Sequence, residues 1–341
     1  MQADYIRVRM IHFLEQLVNM ASPSGQERQV GEFLADRLQE FGFTVTRQPV
    51  DSDRFNILAT TKHDPSILFC THMDTVSPVI PFKRDGATLW GRGCCDAKGQ
   101  ITVMLTAARR LKQAGINNIG LLFVVDEENI SAGAKAAATL PVSPDYIIVG
   151  EPTDNKLATG QKGVLVCRIT AAGTGGHSSM PDQGRSAIHD LVRFLHPWLT
   201  RQWGRDPVLG QTFVNIGKIN GGTGANILAP QATAMAIFRV TTSIQDIKNQ
   251  LIDHVPDSIE IEILSASEPQ TLIALPGFDT TVVGFGTDAG YLRPLGKILL
   301  FGPGSITTAH RQDEHITVED LETGVTLLEK IVKQLLKRIQ T

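Results

Sequence analysis

The chain has 341 residues, of which 42% are hydrophobic and 20% are charged, and its formal net charge is −3. This length favours two domains, and a near-neutral charge without a basic cluster argues against nucleic acid or an anionic membrane surface as a partner. No apolar run approaches the ~20 residues of a membrane helix, and the N-terminal segment lacks the apolar core of a signal peptide, so we expect a cytoplasmic protein.

Two helices are predicted before the first strand. Helical periodicity covers residues 4–20 and 24–41. Ser24, with Glu27 three positions later, predicts a capping box at the start of the second helix.

Short apolar runs then alternate with helix-like stretches. The runs lie at residues 66–74, 120–128, 145–152 and 297–304. Each lacks the alternation of a half-exposed strand, which is typical of strands buried on both faces. Helix-like stretches at 100–115 and 131–140 separate the first three runs, and an amphipathic helix is predicted over 317–339. This order predicts an α/β fold whose mixed, mainly parallel sheet is covered by helices.

The region from 157 to 268 has a different pattern. Its strand-like and helix-like segments follow the order β-α-β-β-α-β, which is typical of a ferredoxin-like α+β domain. The apolar run at 297–304 again lacks alternation, like the three runs that precede residue 157. We therefore expect an inserted domain at 157–268 and a catalytic domain formed by 1–156 and 269–341.

The cysteines do not suggest a disulfide framework. Cys70, Cys94, Cys95 and Cys167 show no paired spacing, and the adjacent pair does not resemble a zinc knuckle. We expect free, mostly buried thiols.

Potential metal ligands follow the ends of the four buried runs. They are His72 and Asp74, then Asp126, Glu127 and Glu128, then Glu151, and finally His310. Ligands of open α/β sheets bind at the carboxyl ends of the strands. Two histidines and several acids at that edge are compatible with a metal site, and a pair of divalent ions would explain how the carboxylates are desolvated.

Taken singly, each segment also has a simpler interpretation. His72 with Asp74 could form a capped turn, and the acids at 126–128 could begin a helix, where the dipole favours them. Glu151 could be a solvated loop acid, and the glycine-rich segment 91–100 could be only a turn before a helix. The joint pattern favours a site over these separate interpretations.

Six motifs, taken together, give the chain a family resemblance. They are THMDTV at 71–76, GRGCCDAKG at 91–99, DEEN at 126–129, VGEPT at 149–153, GGHSS at 175–179 and AHRQDEH at 309–315. In these motifs and their order the chain resembles the M20 family of cocatalytic zinc amidohydrolases and peptidases over nearly its full length. The segments 285–292 and 301–310 are most similar to the acetylornithine deacetylase and succinyl-diaminopimelate desuccinylase group.

The resemblance implies a zinc-peptidase-like catalytic domain that binds two Zn²⁺ ions, for which Co²⁺ or Mn²⁺ can substitute. His72 and Glu151 would bind one ion and Glu128 and His310 the other, with Asp96 bridging both.

The resemblance also implies roles for residues that do not bind metal. Asp74 would orient His72, and Glu127 would be the general base. His177 would come from the inserted domain of the partner subunit of a homodimer and stabilise the oxyanion. Asn226 and Arg239 would bind substrate, although Phe238 stands where relatives often have an aspartate.

The activity implied is removal of the acyl group from a small N-acyl amino acid. Deacetylation of N-acetylornithine in arginine biosynthesis is the activity we expect first. A desuccinylase, an aminoacylase or a dipeptidase with the same machinery is the alternative. A metal-binding homologue without catalysis is the third possibility, against which the complete ligand set and Glu127 argue.

Overall fold

Helices and strands alternate along the described part of the chain, residues 2–61 and 64–340 of a computed structural model. The α-helices are α1 (Gln2–Asn19), α2 (Arg28–Glu40), α3 (Lys98–Gln113), α4 (Ala132–Ala137), α5 (Ala187–Leu195), α6 (Ile244–Ile252), α7 (Ala289–Leu292) and α8 (Val318–Ile339). The first nine strands are β1 (Thr44–Pro49), β2 (Phe55–Thr60), β3 (Ile67–His72), β4 (Lys83–Asp85), β5 (Thr88–Trp90), β6 (Ile119–Val124), β7 (Tyr146–Val149), β8 (Leu157–Gln161) and β9 (Gly163–Ala172). The strands after them are β10 (Arg205–Asp206), β11 (Gly210–Gln211), β12 (Phe213–Gly221), β13 (Gln231–Val240), β14 (Ile259–Ser267), β15 (Gln270–Thr271), β16 (Thr280–Val283), β17 (Lys297–Leu300) and β18 (His315–Thr317).

The largest sheet has six strands in the order β1-β2-β6-β3-β7-β17. Strands β6, β3, β7 and β17 are parallel neighbours, whereas β1 and β2 are antiparallel additions at one edge. The prediction of a mixed, mainly parallel sheet is therefore confirmed. All residues of β3, β6 and β7 are buried, which explains why these runs show no alternation of apolar and polar residues.

Helices bury this sheet. Helix α3 packs against β3 and β6, helix α8 packs against α3, and helix α2 packs against β1 and β2. Helix α8 begins with a capping box in which the Thr317 side chain accepts the N–H of Asp320 and the Asp320 side chain accepts the N–H of Thr317. Its apolar face joins the same core as the sheet, so the predicted C-terminal helix is confirmed.

The capping box predicted from Ser24 and Glu27 is wrong. Helix α2 begins only at Arg28, and Glu27 precedes it without a side-chain capping hydrogen bond. The two side chains have other partners, because Ser24 Oγ donates to Asp74 Oδ2 at 2.7 Å and Glu27 Oε1 accepts the N–H of Asp126 at 3.1 Å. Both side chains thus form hydrogen bonds with loop residues at the carboxyl edge of the sheet.

The chain divides into two compact units. The larger comprises residues 1–159, 272–281 and 287–341, and the smaller comprises 160–271 and 282–286. A short sheet in the order β15-β8-β16 is formed where the chain leaves one unit and enters the other. Residues 282–286 belong to the smaller unit, although the sequence pattern placed them in the catalytic domain.

The smaller unit has the β-α-β-β-α-β order that the sequence predicts. Its antiparallel sheet has the strand order β12-β13-β9-β14, with α5 and α6 as the two helices. Alternate residues of β13 are buried, and Phe238 packs edge-on against Trp203 with ring centroids 4.8 Å apart. Phe238 is thus a core residue of a ferredoxin-like fold, which gives a packing reason for an apolar side chain at that position.

The four cysteines are free and buried, as expected. Within residues 2–61 and 64–340, no helix has the length and apolar character needed to cross a membrane.

Candidate metal centre

Four parallel strands of the larger unit bring acids and histidines to one edge of the sheet. Strand β3 ends at His72, β6 runs into the segment 125–128, β7 is followed by Glu151, and β17 leads to the loop that carries His310. Because neighbouring parallel strands end at the same edge, residues far apart in sequence meet there.

Two groups of potential ligand atoms share one carboxylate. The ligand atoms of His72, Asp96 and Glu151 lie within 4.8 Å of one another, and so do those of Asp96, Glu128 and His310. Asp96 Oδ1 lies 3.0 Å from His72 Nε2, and Asp96 Oδ2 lies 3.3 Å from His310 Nε2. His310 Nε2 is also 2.8 Å from Glu128 Oε1. Asp96 therefore presents one oxygen to each group.

The imidazole of His72 contacts both the backbone and the side chain of Asp74. The Nδ1 atom of His72 lies 3.0 Å from the carbonyl oxygen of Asp74 and 3.4 Å from its Oδ1. With Nδ1–H donating to that carbonyl, Nε2 is left with a lone pair directed at the shared site, which is the form of imidazole that binds a metal.

The carboxylate of Asp74 also fixes the segment after β6. Its Oδ1 accepts the N–H of Glu127 and its Oδ2 accepts the N–H of Glu128, both at 3.1 Å. Burial would raise the pKa of Asp74, but hydrogen bonds with His72, Ser24 and Glu128 outweigh it and lower that pKa. One ionised carboxylate thus links β3 to two neighbouring glutamates.

A tight turn, not a helix, follows β6. Asp126 and Ser131 have φ values of 70° and 55°, and helix α4 begins only at Ala132. The turn is held by Arg54 Nη1, which donates to Asp126 Oδ1 at 2.9 Å, and by Glu27, which accepts the N–H of Asp126. The interpretation of the three acids as a helix start is therefore wrong, and the left-handed residues mark a backbone held in place by its surroundings.

Two acids near the site were not assigned from the sequence. Asp288 lies in the segment 285–292 and is only 2% exposed, so its carboxylate is almost fully removed from water. Glu314 lies four residues after His310 and accepts hydrogen bonds from the loop that carries Asp96. Both lie in segments that carry the family resemblance, which was the available signal, but only the tertiary contacts indicate what they touch.

The electrostatics of the site is dominated by buried acids. Burial raises the pKa of Glu127 and of Glu151 well above the usual range, and neighbouring carboxylates add to the shift. Burial likewise raises the pKa of Asp288 to about 7. Hydrogen bonds to Asp96 and Glu128 raise the pKa of His310 to about 10, which shows an imidazole surrounded by negative charge.

These observations fit divalent cations. Imidazole nitrogens and carboxylate oxygens are donors that Zn²⁺ binds, and a carboxylate shared by two donor groups is the arrangement of a two-metal site. The raised pKa values record an excess of buried negative charge that cations would offset. Glu151 is buried, so its interpretation as a solvated loop acid is wrong.

The other predicted residues lie in the smaller unit, where two of them are neighbours. His177 and Asn226 are exposed in adjacent loops, joined by a hydrogen bond from the N–H of Ser178 to the carbonyl oxygen of Asn226 at 3.0 Å. A cleft of about 570 Å³ is lined by residues of these two loops and of helix α5. Arg239 lies on β13, half-buried and paired with residues of β9 and β12.

The ring of His177 is held in one tautomer. Its Nδ1 accepts the N–H of Ser179 at 3.2 Å and lies 2.7 Å from Ser179 Oγ. Because Nδ1 is an acceptor, a neutral ring carries its hydrogen on Nε2, which leaves that atom as a donor.

Comparison with known proteins identifies relatives over nearly the whole chain. A model of peptidase family M20/M25/M40 matches residues 68–334. A peptidase M20 domain-containing protein of Schizosaccharomyces pombe is 36% identical over 337 residues, which cover 95% of this chain and 84% of the relative. A probable carboxypeptidase of Aspergillus terreus is 34% identical over 371 residues, covering 95% of this chain and 86% of the relative.

Solved structures share the fold at lower sequence identity. A tripeptidase from Staphylococcus aureus gives a TM-score of 0.80 at 20% identity, covering 96% of this chain and 98% of that structure. An M20 family metallo-carboxypeptidase from Sulfolobus solfataricus gives a TM-score of 0.76 at 16% identity, covering 95% and 98%.

Proposed function

The chain belongs to peptidase family M20/M25/M40, and we propose that it is a two-zinc peptidase that cleaves short peptides with a free C-terminal carboxylate. It is a hydrolase of amide bonds from a metal-dependent family, and its sequence is similar to that of a probable carboxypeptidase. The observation that carries the proposal is the pair of donor groups that share Asp96, with Glu127 next to one of the donors. In this assignment His72 and Glu151 hold one ion, and Glu128 and His310 hold the other.

Glu127 acts as the general base in this proposal. When bound by these residues, zinc would polarise the scissile carbonyl as a Lewis acid and would lower the pKa of water towards ~7. Glu127 accepts a proton from the attacking water and returns it to the leaving amine. Its backbone is fixed by the hydrogen bond to Asp74, so its carboxylate stays next to the donor groups while it carries the proton.

A second copy of the chain completes the site in this proposal. The insertion at 157–268 serves as the dimerisation domain, and His177 of the partner subunit donates from Nε2 to the oxyanion. Strand β12 is an edge strand of its sheet, and its apolar residues Phe213 and Ile219 are 51% and 55% exposed. An exposed apolar edge strand supports pairing between two copies about a twofold axis. The tautomer of His177 supports its role as a donor.

The free carboxylate of the substrate pairs with Arg239. A planar guanidinium binds a carboxylate through two parallel hydrogen bonds, and the amide of Asn226 can add a third contact. This pairing predicts that a peptide whose C-terminal carboxylate is blocked as an amide is a poor substrate.

N-acetylornithine deacetylation is a second candidate. It is favoured by the resemblance of segments 285–292 and 301–310 to the acetylornithine deacetylase group. The relatives with probable carboxypeptidase names support a peptide substrate instead.

A substrate panel separates these candidates. Zinc-loaded protein is assayed with N-blocked dipeptides, free dipeptides, a C-terminally amidated dipeptide, N-acetylornithine and N-succinyl-diaminopimelate, and Glu127→Gln is the inactive control. We expect the largest kcat/KM for a peptide with a free carboxylate. A larger value for N-acetylornithine would support deacetylation, and equal turnover of the acid and the amide would contradict the role of Arg239.

A further inference from the structure

The shared carboxylate Asp96 lies in a loop that needs support from outside. Residues 91–97 form no helix or strand before α3 begins at Lys98. Gly91 and Gly93 have φ values of 141° and 88°, a backbone conformation that glycine adopts readily and other residues avoid. The N–H groups of such a buried loop require acceptors, since an unpaired buried N–H is costly.

Glu314 supplies those acceptors. Its Oε1 accepts the N–H groups of Gly93 at 2.9 Å, Cys95 at 3.1 Å and Asp96 at 3.1 Å. Its Oε2 accepts Arg92 Nη1 at 2.5 Å. The Glu314 side chain is buried, with the residue only 1% exposed, so water does not compete for these bonds.

The same segment also carries a donor of the second group. Glu314 follows His310 by four residues, and the next residue, His315, pairs with Trp90 where β18 meets β5. The rings of His315 and Trp90 lie with their centroids 4.4 Å apart. The loop of His310 and the loop of Asp96 are therefore tied together at Glu314 and at the β5–β18 pair.

From this geometry we infer that Glu314 is a positioning residue that sets the place of Asp96 between the two donor groups. The inference rests on the proposed metal centre. Asp96 contributes to both groups, so a shift of its backbone changes the geometry of both ions at once. Glu314 acts on the metal only through this loop, and it is not itself a ligand.

The variant Glu314→Gln tests this role. It removes the negative charge and places an N–H₂ group opposite the donor Arg92 Nη1. The remaining oxygen is a weaker acceptor for the loop N–H groups, or it rotates away from them toward Arg92. Asp320→Asn is the matched control, since Asp320 is a nearby half-buried acid of the same unit that caps helix α8. Equilibrium zinc affinity is measured by competition with a chromophoric chelator, and the absorption spectrum of the Co²⁺-loaded protein reports the ligand geometry.

We expect Glu314→Gln to weaken both zinc sites, by roughly 10- to 100-fold, the usual effect of losing a group that orients ligands. Its Co²⁺ spectrum should also change. Asp320→Asn should lower the thermal midpoint of the metal-free protein and leave zinc affinity and the Co²⁺ spectrum as in the wild type.

Two results would overturn the inference. One is wild-type zinc affinity in Glu314→Gln, and the other is an equal loss of zinc affinity in Asp320→Asn. If Glu314→Gln does not fold, Glu314→Asp, which keeps the charge but shortens the side chain, must weaken zinc binding in the same direction. Zinc binding by the wild type is measured first, because its absence would overturn the proposed function as well as the role of Glu314.

Discussion

Glu127 and Glu128 are adjacent in sequence, yet their surroundings differ. Glu128 Oε1 contacts His310, a member of the same donor group. Glu127 belongs to neither group, and burial together with the neighbouring acids Asp288 and Glu128 raises its pKa. Asp74 accepts the backbone N–H of both residues, so the two side chains leave a common turn for the proposed tasks of general base and metal ligand.

Replacing each glutamate by glutamine distinguishes these tasks. Glu127→Gln keeps the shape but cannot accept a proton, so kcat should fall by about 10²-fold or more with zinc content near normal. Glu128→Gln should instead lower zinc affinity, because a neutral amide is a poorer ligand. Metal analysis and steady-state kinetics on the same preparations check both, and the opposite pattern would reverse the assignment within residues 127–128.

The stability of the metal-free protein should fall as pH rises. The pKa of Asp288 is raised from 3.8 to about 7 on folding, because burial disfavours its charged form. The free energy of unfolding therefore falls as pH rises from about 4 to 7. His310 acts in the same direction, since its raised pKa of about 10 means that stability is lost as pH rises from 6.5 through that value. Because the pKa of Asp96 is lowered on folding, this carboxyl group changes the stability only below pH 3.8.

Urea unfolding at pH 5.5 and pH 8 measures this effect. Asp288 alone should make the metal-free protein less stable at pH 8 than at pH 5.5 by about 2 kcal/mol, because each pH unit between 5.5 and its pKa of about 7 corresponds to 1.36 kcal/mol. Asp288→Asn should reduce the difference, and zinc should reduce it further, because metal binding releases protons and strengthens as pH rises. A metal-free protein that is more stable at pH 8 would contradict the proposed charge balance.

At the scale of elements, Asp74 joins the end of β3 to the turn that follows β6. The N–H groups of Glu127 and Glu128 bond to different oxygens of Asp74, and Asp74→Asn replaces one of these oxygens by an N–H₂ group, so one of the two N–H groups faces a donor instead of an acceptor. Zinc affinity should fall roughly 10- to 100-fold and kcat should fall with it. Ser24→Ala is the control, since it removes only the hydroxyl that donates to Asp74. Equal effects of the two variants would mean that the turn does not depend on this carboxylate.

Much of this edge of the sheet could be predicted from local pattern. Unbroken apolar runs identify the buried strands, and the residues that follow them identify the candidate ligands. The prediction of a capping box at Ser24 and Glu27 was wrong because the Ser24 side chain bonds to a residue 50 positions away and the Glu27 side chain to a residue 99 positions away. Glu314 was missed for the same reason, since its bond to the N–H of Asp96 spans 218 positions. Local propensity contains no information about partners at such separations.

At the scale of the whole molecule, the dimer and the partner's His177 can be tested by mixing two inactive variants. His177→Ala should lose an oxyanion donor, a change worth about 2.7–4 kcal/mol of transition-state stabilisation, with zinc binding intact. A mixed dimer with Glu127→Gln contains one site in which both residues are wild type. After subunit exchange, an equimolar mixture should regain about one quarter of the wild-type activity.

The control is each variant mixed with itself, which should stay inactive. Sedimentation on the same samples reports the oligomeric state. A fully active monomer, or exchanged dimers without recovered activity, would rule out the contribution of His177 across subunits.

The dinuclear centre at Asp96 is tested most directly by titrating zinc into metal-free protein while bound zinc and peptide hydrolysis are followed in one sample. We expect no hydrolysis without metal, a rise in activity as zinc binds up to two ions per chain, and loss of both sites in Asp96→Ala. His310→Ala, by contrast, should mainly weaken one site. Full hydrolytic activity in the metal-free protein would contradict the proposed metal centre.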